Sequence, residues 1–333
     1  MGSSLREVAR VAGVSTSTVS RYVKGELKVT ADTSERINNA IAEVGWRPKV
    51  KNDPRLDSVV LLIPSLTNPF FAYLADEIVS VGKVEKKKIS IRLTGGVLSS
   101  ELSILDEVLN DESIHGILYI GNNLLDDLID VAKINKPFVM VDEIVFSSKT
   151  AKRVPYVVSG NKNGAYQATN HLLVNGHKNI AFVGGPVGLF SAEQREIGFR
   201  KAMNYHGVEC DEDLIFRGPY SNAFGASVLP NIINRKVPVN AVFACSDIVA
   251  IGLINAARES NLEIPKDLSV IGFDDIPLCD WFSPGLTSVS QPISEMASAA
   301  LQALISQFHG RTYRSVVLPM RLIARASVRK LNN

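Results

Sequence analysis

From Leu5 to Ala12 the apolar residues Leu5, Val8, Ala9 and Ala12 recur at i, i+3, i+4 and i+7, one stripe of a short helix. Gly13 follows where a left-handed exit is needed. Ser15 is placed to cap a second helix, Thr16 to Val23, whose Val19 and Val23 return to the first helix's apolar face. Two short helices around a tight glycine turn make a helix-turn-helix. A third helix, capped by Thr30, carries Ile37, Ala40, Ile41 and Val44 inward and ends at Gly45, with Trp46 closing the base.

Beyond Asp57 the pattern changes. Val59 to Ile63 is an unbroken apolar run rich in β-branched residues, the mark of a parallel strand buried on both faces. Helices are then expected at Phe71–Val84, Glu101–Leu109 and Leu124–Ile134, alternating with strands at Ile89–Leu93, Gly116–Ile120, Phe138–Val141 and Tyr156–Val158. A second series follows. Helices are expected at Asn163–Val174, Gln194–Tyr205, Ala223–Ile233 and Ile248–Ser260, with strands at Ile180–Val183, Leu214–Phe216, Ala241–Cys245 and Ser269–Gly272. A closing helix, Ser294–Phe308, and strands near Val316–Leu318 and Leu322–Ala326 complete the chain. The implied architecture is a small all-α headpiece plus an α/β core of two doubly wound parallel-sheet lobes with a cleft between them.

Residues 1–46 are the headpiece, 47–58 a linker of polar, basic and prolyl composition, and 59–333 the core. The first lobe takes about 59–160 and 292–318, the second about 161–291 and 319–333. A chain of 333 residues with 46% hydrophobic content suits more than one core. The net charge of +2 is uneven: through Asp57 there are ten Lys/Arg against seven Asp/Glu, so the positive excess travels with the helix-turn-helix. Three dispersed cysteines, Cys210, Cys245 and Cys279, read as reduced thiols of a cytoplasmic protein. No secretory signal and no membrane-length apolar run is expected, and the five histidines show no metal spacing.

Two sets of residues carry chemistry. The outward face of the second helix presents Thr16, Ser17, Ser20 and Arg21, short hydroxyls and an arginine suited to a DNA major groove; an ordinary helical hairpin with a solvated face is the plainer alternative. Ligands of open parallel sheets sit beyond the carboxyl ends of the strands, where this chain places Ser65–Phe71, Asp142 with Glu143, Phe190–Arg195, Ser246 with Asp247, and Asp274 with Asp275. Carboxylates and an arginine beside Phe70, Phe71, Tyr220 or Trp281 suit a sugar-like polyol. Acidic residues after strands can also merely cap the next helix.

In these motifs the chain resembles the LacI/GalR family of bacterial transcription repressors, from about Leu5 to Lys330. The matching stretches include VARVAGVSTSTVSR (Val8–Arg21), NPFF (Asn68–Phe71), SAEQREIGF (Ser191–Phe199), SDIVAIG (Ser246–Gly252) and IPKDLSVIGFDD (Ile264–Asp275). The resemblance implies a cytoplasmic homodimer that sets two helix-turn-helix units on a roughly palindromic double-stranded operator. It also implies a core similar to periplasmic sugar-binding proteins, a small-molecule effector in the cleft, no cofactor and no enzymatic step. By matching position, Thr16, Ser17 and Arg21 look like base readers, with Ser15, Ser20 and Thr30 nearer phosphates. The effector set would be Phe70, Asp142, Ser191, Arg195, Tyr220, Ser246, Asp274 and Gln291. Dimer contacts would run along the helix after Phe70 and near Asp247–Ile254 and Leu278–Phe282.

Three departures bear on function. The segment before the first strand is shorter than the family's usual hinge, and Leu56 is its only leucine for a minor-groove wedge. Gly160 stands where an aspartate is usual, and Ser246 where Asn is frequent. The chain shows no terminal heptad tail, so no tetramer through one is expected. Rival readings are a regulator answering to a phosphorylated carrier protein, and a sugar receptor with no DNA role.

Overall fold

The computed structural model describes residues 4–23, 27, 29–44, 46, 57–121, 134–144 and 154–331, which fall into two compact units, one within Met1–Arg55 and one within Leu56–Asn333. The first unit is three helices: α1 (Leu5–Ala12), α2 (Thr16–Val23) and α3 (Ala31–Val44). Each start is fixed by a hydroxyl side chain that accepts an otherwise unpaired amide. Ser4 takes the Glu7 N–H at 3.3 Å, Ser15 the Thr18 N–H at 3.0 Å and Thr30 the Thr33 N–H at 3.3 Å. Gly13, at φ 65°, ends α1 and sends its N–H back to the carbonyls of Ala9 and Arg10. Val8, Ala9, Ala12, Val19, Ile37 and Ala40 form the core, and Trp46 packs against it.

The second unit opens with β1 (Ser58–Ile63), whose last five residues are buried. β2 (Lys88–Leu93), β3 (Gly116–Tyr119), β4 (Phe138–Val141) and β5 (Tyr156–Ser159) join it, with β11 (Val316–Leu318), in a parallel sheet of order β11-β5-β4-β3-β1-β2. α4 (Pro69–Val84) and α5 (Leu98–Asn110) are its early crossovers, and α11 (Ile293–Phe308) packs on α4 and on β3 to β5. The second sheet, order β7-β6-β8-β9, comprises β6 (Ile180–Gly184), β7 (Ile215–Arg217), β8 (Ala241–Ala244) and β9 (Ser269–Ile271). Its helices are α6 (Asn161–Val174), α7 (Phe190–Tyr205), α8 (Asn222–Ile233), α9 (Asp247–Glu259) and the short α10 (Leu278–Trp281). The chain crosses between the lobes three times: from β5 to α6, from β10 (Ser288–Ser290) to α11, and from β11 to β12 (Arg321–Ile323).

Several details differ from the periodicity. α7 begins at Phe190, four residues before the first expected position, where the Ser191 amide of its first turn finds a partner on the other lobe. β10 and β12 form an antiparallel pair that no local pattern announces. Ser58, read as linker, already pairs with Lys88 in the first sheet. The stretch Asp247–Ile254 is corrected as a dimer surface: all of it but Ile248 is buried within its own lobe, where a Cβ on Gly252 would stand 2.0 Å from the Asn222 carbonyl oxygen. The helix expected at Leu124–Ile134 and the linker apart from Asp57 and Ser58 lie outside the described residues, except that Ile134 is buried in the first lobe.

Candidate DNA-reading face and effector cleft

On α2 the side chains at Ser15, Thr16, Ser17 and Arg21 are exposed, while Ser20 is half-buried and Val19 fully buried. This division follows largely from the helical period: Val19 must face α1 and α3, so positions 17 and 21, two residues to either side, face away, and Thr16 is exposed at the helix's first position. Tyr22 pins the helix from behind, its hydroxyl against Ser34 Oγ and the Asn38 amide of α3. Two of the six expected DNA contacts have structural duties as well. Ser15 caps α2 and touches Ser17 Oγ at 2.8 Å, and Thr30 caps α3. Among the described residues Arg21 has no ion-pair partner, which leaves a mobile cation one turn along an exposed hydroxyl face.

In the second unit, the strand ends converge on Arg195. This residue sits in the second turn of α7 with 3% of its surface exposed. Its Nε donates to Asn161 Oδ1 at 2.7 Å and its Nη1 donates to the Cys245 carbonyl. Asp274 Oδ1 lies 3.6 Å from Nη1, and the guanidinium stacks 3.9 Å above the Phe273 ring, with Tyr220 at 5.6 Å. Asp274 accepts Ser246 Oγ at 3.0 Å and Gln291 Nε2 at 2.8 Å. Gln291 in turn accepts Ser159 Oγ at 2.7 Å. Ser159, Asn161 and Gln291 all stand on crossings between the lobes, so the charged centre is hydrogen-bonded directly to two of the three hinge strands.

Asp142 enters from the first lobe at the end of β4. It is 5% exposed, its backbone is left-handed at φ 70°, and its Oδ1 has no hydrogen-bond partner. Asp274 is likewise left-handed, at φ 116°. Two aspartates, one from each lobe, are thus held in a sparsely populated backbone region that stores local strain. Burial pushes the Asp142 carboxyl up to about 6, with Asp274 adding to the shift and Arg195 opposing it. Burial likewise raises Asp274, with Arg195 and the Gln291 and Ser246 bonds working against it. The Tyr220 hydroxyl is the second orphaned atom, and burial raises it too. Its ring lies so close to Gly185 that a Cβ there would meet it at 2.3 Å.

Seven of the eight expected effector residues thus share one buried region: Asp142, Ser191, Arg195, Tyr220, Ser246, Asp274 and Gln291. Phe70 is buried against Phe71 at a ring separation of 5.4 Å, with no ring or hydrogen-bond contact to the Arg195 group among the described residues. Trp281 is 74% exposed on α10 and supplies no wall; Phe273 stacks on the arginine instead. Ser246 precedes α9 but does not cap it, since its hydroxyl goes to Asp274. Asp247 is also spent structurally, accepting the Ile276 N–H at 2.9 Å and Ser288 Oγ at 2.6 Å. Glu143 stands beside Asp142 at an expected strand end, whereas Phe273, Asn161 and Ser159 carry no local signal as site residues, because their partners lie far away in sequence, beyond any spacing rule.

Comparison with known proteins agrees with both halves. Residues 4–49 match the profile of bacterial regulatory proteins of the lacI family, and residues 169–328 that of a periplasmic binding protein-like domain. The chain is 30% identical over 311 residues to the HTH-type transcriptional regulator RegA of Clostridium saccharobutylicum, covering 92% of each. It is 30% identical to the HTH-type transcriptional repressor CytR of Escherichia coli, covering 98% of this chain and 96% of that one. Among solved structures, a transcriptional regulator CelR–cellobiose complex superposes with a TM-score of 0.73 at 27% identity, over 97% of this chain and 99% of that one. The transcription regulator CcpA of Lactococcus lactis superposes with a TM-score of 0.74 at 25% identity, over 82% of this chain and 100% of that one.

Proposed function

The chain belongs to the lacI family of bacterial regulatory proteins, and from that premise we propose that it is an effector-controlled repressor whose homodimer binds a palindromic operator. It is a DNA-binding transcription regulator and not an enzyme. The observation that carries the effector reading is the coupling of the buried Arg195–Asp274 centre to Ser159, Asn161 and Gln291 on the lobe crossings. A ligand that draws on Arg195, Asp274 or the orphaned Asp142 oxygen alters hydrogen bonds that span the hinge, and so biases the lobe angle. The ligand class supported best is a small sugar. Paired carboxylates accept vicinal hydroxyls, the guanidinium donates to ring or glycosidic oxygens, and Phe273 and Tyr220 supply aromatic surface.

DNA reading is assigned to Thr16, Ser17 and Arg21, with Ser15, Ser20 and Thr30 nearer phosphates. A modest positive excess per headpiece argues for two headpieces acting together. A dimer is supported by apolar residues left in solvent on the first lobe: Tyr73 and Val79 of α4 and Ile91 and Leu93 of the edge strand β2 are each more than a third exposed. Such a protein acts in the cytoplasm on chromosomal DNA. The test is selection of bound duplexes from a random pool by the full chain, with light scattering for mass. The reading expects an inverted repeat and a dimer; a single half-site bound by a monomer refutes it.

A further inference from the structure

Glu143 has no part in the reading above, yet its placement is the most specific in the cleft. It follows Asp142 at the end of β4, on the first lobe, and is 8% exposed. Both carboxylate oxygens are taken by one residue of the second lobe: Oε2 accepts the Ser191 N–H at 3.1 Å and Oε1 accepts the Ser191 hydroxyl in a short contact. Ser191 is the second residue of α7, a helix of 16 residues whose own N-cap, Leu189, contributes no side-chain hydrogen bond. The N-terminus of a helix is the positive end of its macrodipole and attracts anions, and Arg195 stands one turn further along the same helix. Left to itself, that corner of the cleft would be a phosphate or carboxylate site. Glu143 fills it from the opposite lobe.

We propose that Glu143 is a specificity-determining residue: an internal carboxyl that occupies the α7 N-terminus, latches the two lobes together and excludes anionic effectors, so that the cleft takes neutral polyhydroxyl ligands. An incoming phosphate would have to displace Glu143 from Ser191 and then face Asp142 and Asp274 beside the guanidinium, two of whose N–H groups donate to Asn161 and the Cys245 carbonyl. A neutral sugar meets no such conflict. Its hydroxyls can donate to the unpartnered Asp142 Oδ1 while the Glu143–Ser191 contact stays in place. The inference rests on the cleft being the effector site.

The test uses the full chain and inorganic phosphate as the probe, read by isothermal titration and thermal shift. Removing the internal carboxyl in Glu143→Ala is expected to create phosphate binding about tenfold or more tighter than in the parent protein, and a further Arg195→Met change is expected to abolish it. Glu143→Ser, which also vacates the corner but keeps a small polar group there, serves if the alanine variant does not fold; it too is expected to gain phosphate. Parent and variants binding phosphate equally, or variants that fold and still ignore it, overturn the proposal. A panel of neutral sugars is run in parallel. If sugars stabilise the parent protein in an Arg195-dependent way while the variants ignore phosphate, only the role of Glu143 fails. If the sugar response persists in Arg195→Met, the cleft assignment itself fails.

Discussion

Asp142→Asn should make the ligand-free protein more stable and deaf to its effector at the same time. Asp142 is buried, has one carboxylate oxygen without a partner, and has its carboxyl pushed from 3.8 up to about 6, first by burial and then by Asp274. A carboxyl whose folded-state value is raised contributes stability that is complete below its unfolded value and is lost as pH rises through the folded one. Above pH about 6 the ionised Asp142 therefore holds the folded state about 2–3 kcal/mol below what a neutral side chain would give, from about two units at 1.36 kcal/mol each. Asparagine tolerates the left-handed backbone at φ 70° as aspartate does, so the substitution adds no strain. For a chain of this size the gain corresponds to a rise in Tm of roughly 3–5 °C at pH 8, and it should vanish near pH 4, where both proteins carry a neutral side chain. Thermal unfolding of the two proteins at pH 4, 6 and 8, each with and without a stabilising sugar, reads both effects. A variant less stable than the parent at pH 8, or one with an undiminished sugar response, would show that Asp142 holds the fold together instead of facing a ligand.

The other predictions bear on different links. Gly185→Ala places a Cβ within 2.3 Å of the Tyr220 ring and should displace it, weakening the sugar response while operator affinity without ligand is retained; an unchanged sugar titration would remove Tyr220 from the site. Arg21→Ala should lower affinity for the selected operator by about 1–3 kcal/mol and for random duplex much less, measured at one fixed salt concentration; equal losses would mean the side chain touches phosphate only. Asp247 is raised to about 8, first by burial and then by Asp274, so this one group should lower parent stability by up to about 1.4 kcal/mol per pH unit between pH 4 and 8, on top of what Asp142 takes. In Asp247→Asn that slope should be shallower, despite a lower plateau in acid from the weakened Ile276 and Ser288 bonds; parallel stability curves would contradict the assignment.

What the sequence discloses follows from the range of each interaction. Val59 to Ile63 is fully buried in the sheet, and an unbroken apolar run needs no partner information to be read. α1 and α2 are legible because each of their signals, stripe, caps and glycine turn, lies within four residues of the next. α7 was placed four residues late because Glu143, 48 positions earlier, is what satisfies its first turn. Phe273 beneath Arg195 is silent in the sequence for the same reason, since stacking across 78 positions leaves no spacing signal. Trp281 looked like a natural ring to cover a sugar but points to solvent, because composition names an aromatic without saying which wall it joins. Asp247–Ile254 read as surface, yet Gly252 brings α9 against the backbone at Asn222 and buries nearly all of that stretch.

Effector control requires that ligand in the core changes operator binding by the headpiece, and a fluorescence anisotropy titration of the selected operator duplex with the full chain addresses this most directly. The titration is run at fixed salt with and without a sugar that stabilises the parent protein. The expected result is an operator Kd moved about 5- to 150-fold by the sugar, with random-duplex binding unmoved and the effect absent in Asp142→Asn. Binding that fails to distinguish operator from random duplex, or an operator Kd indifferent to a sugar that occupies the cleft, would contradict it.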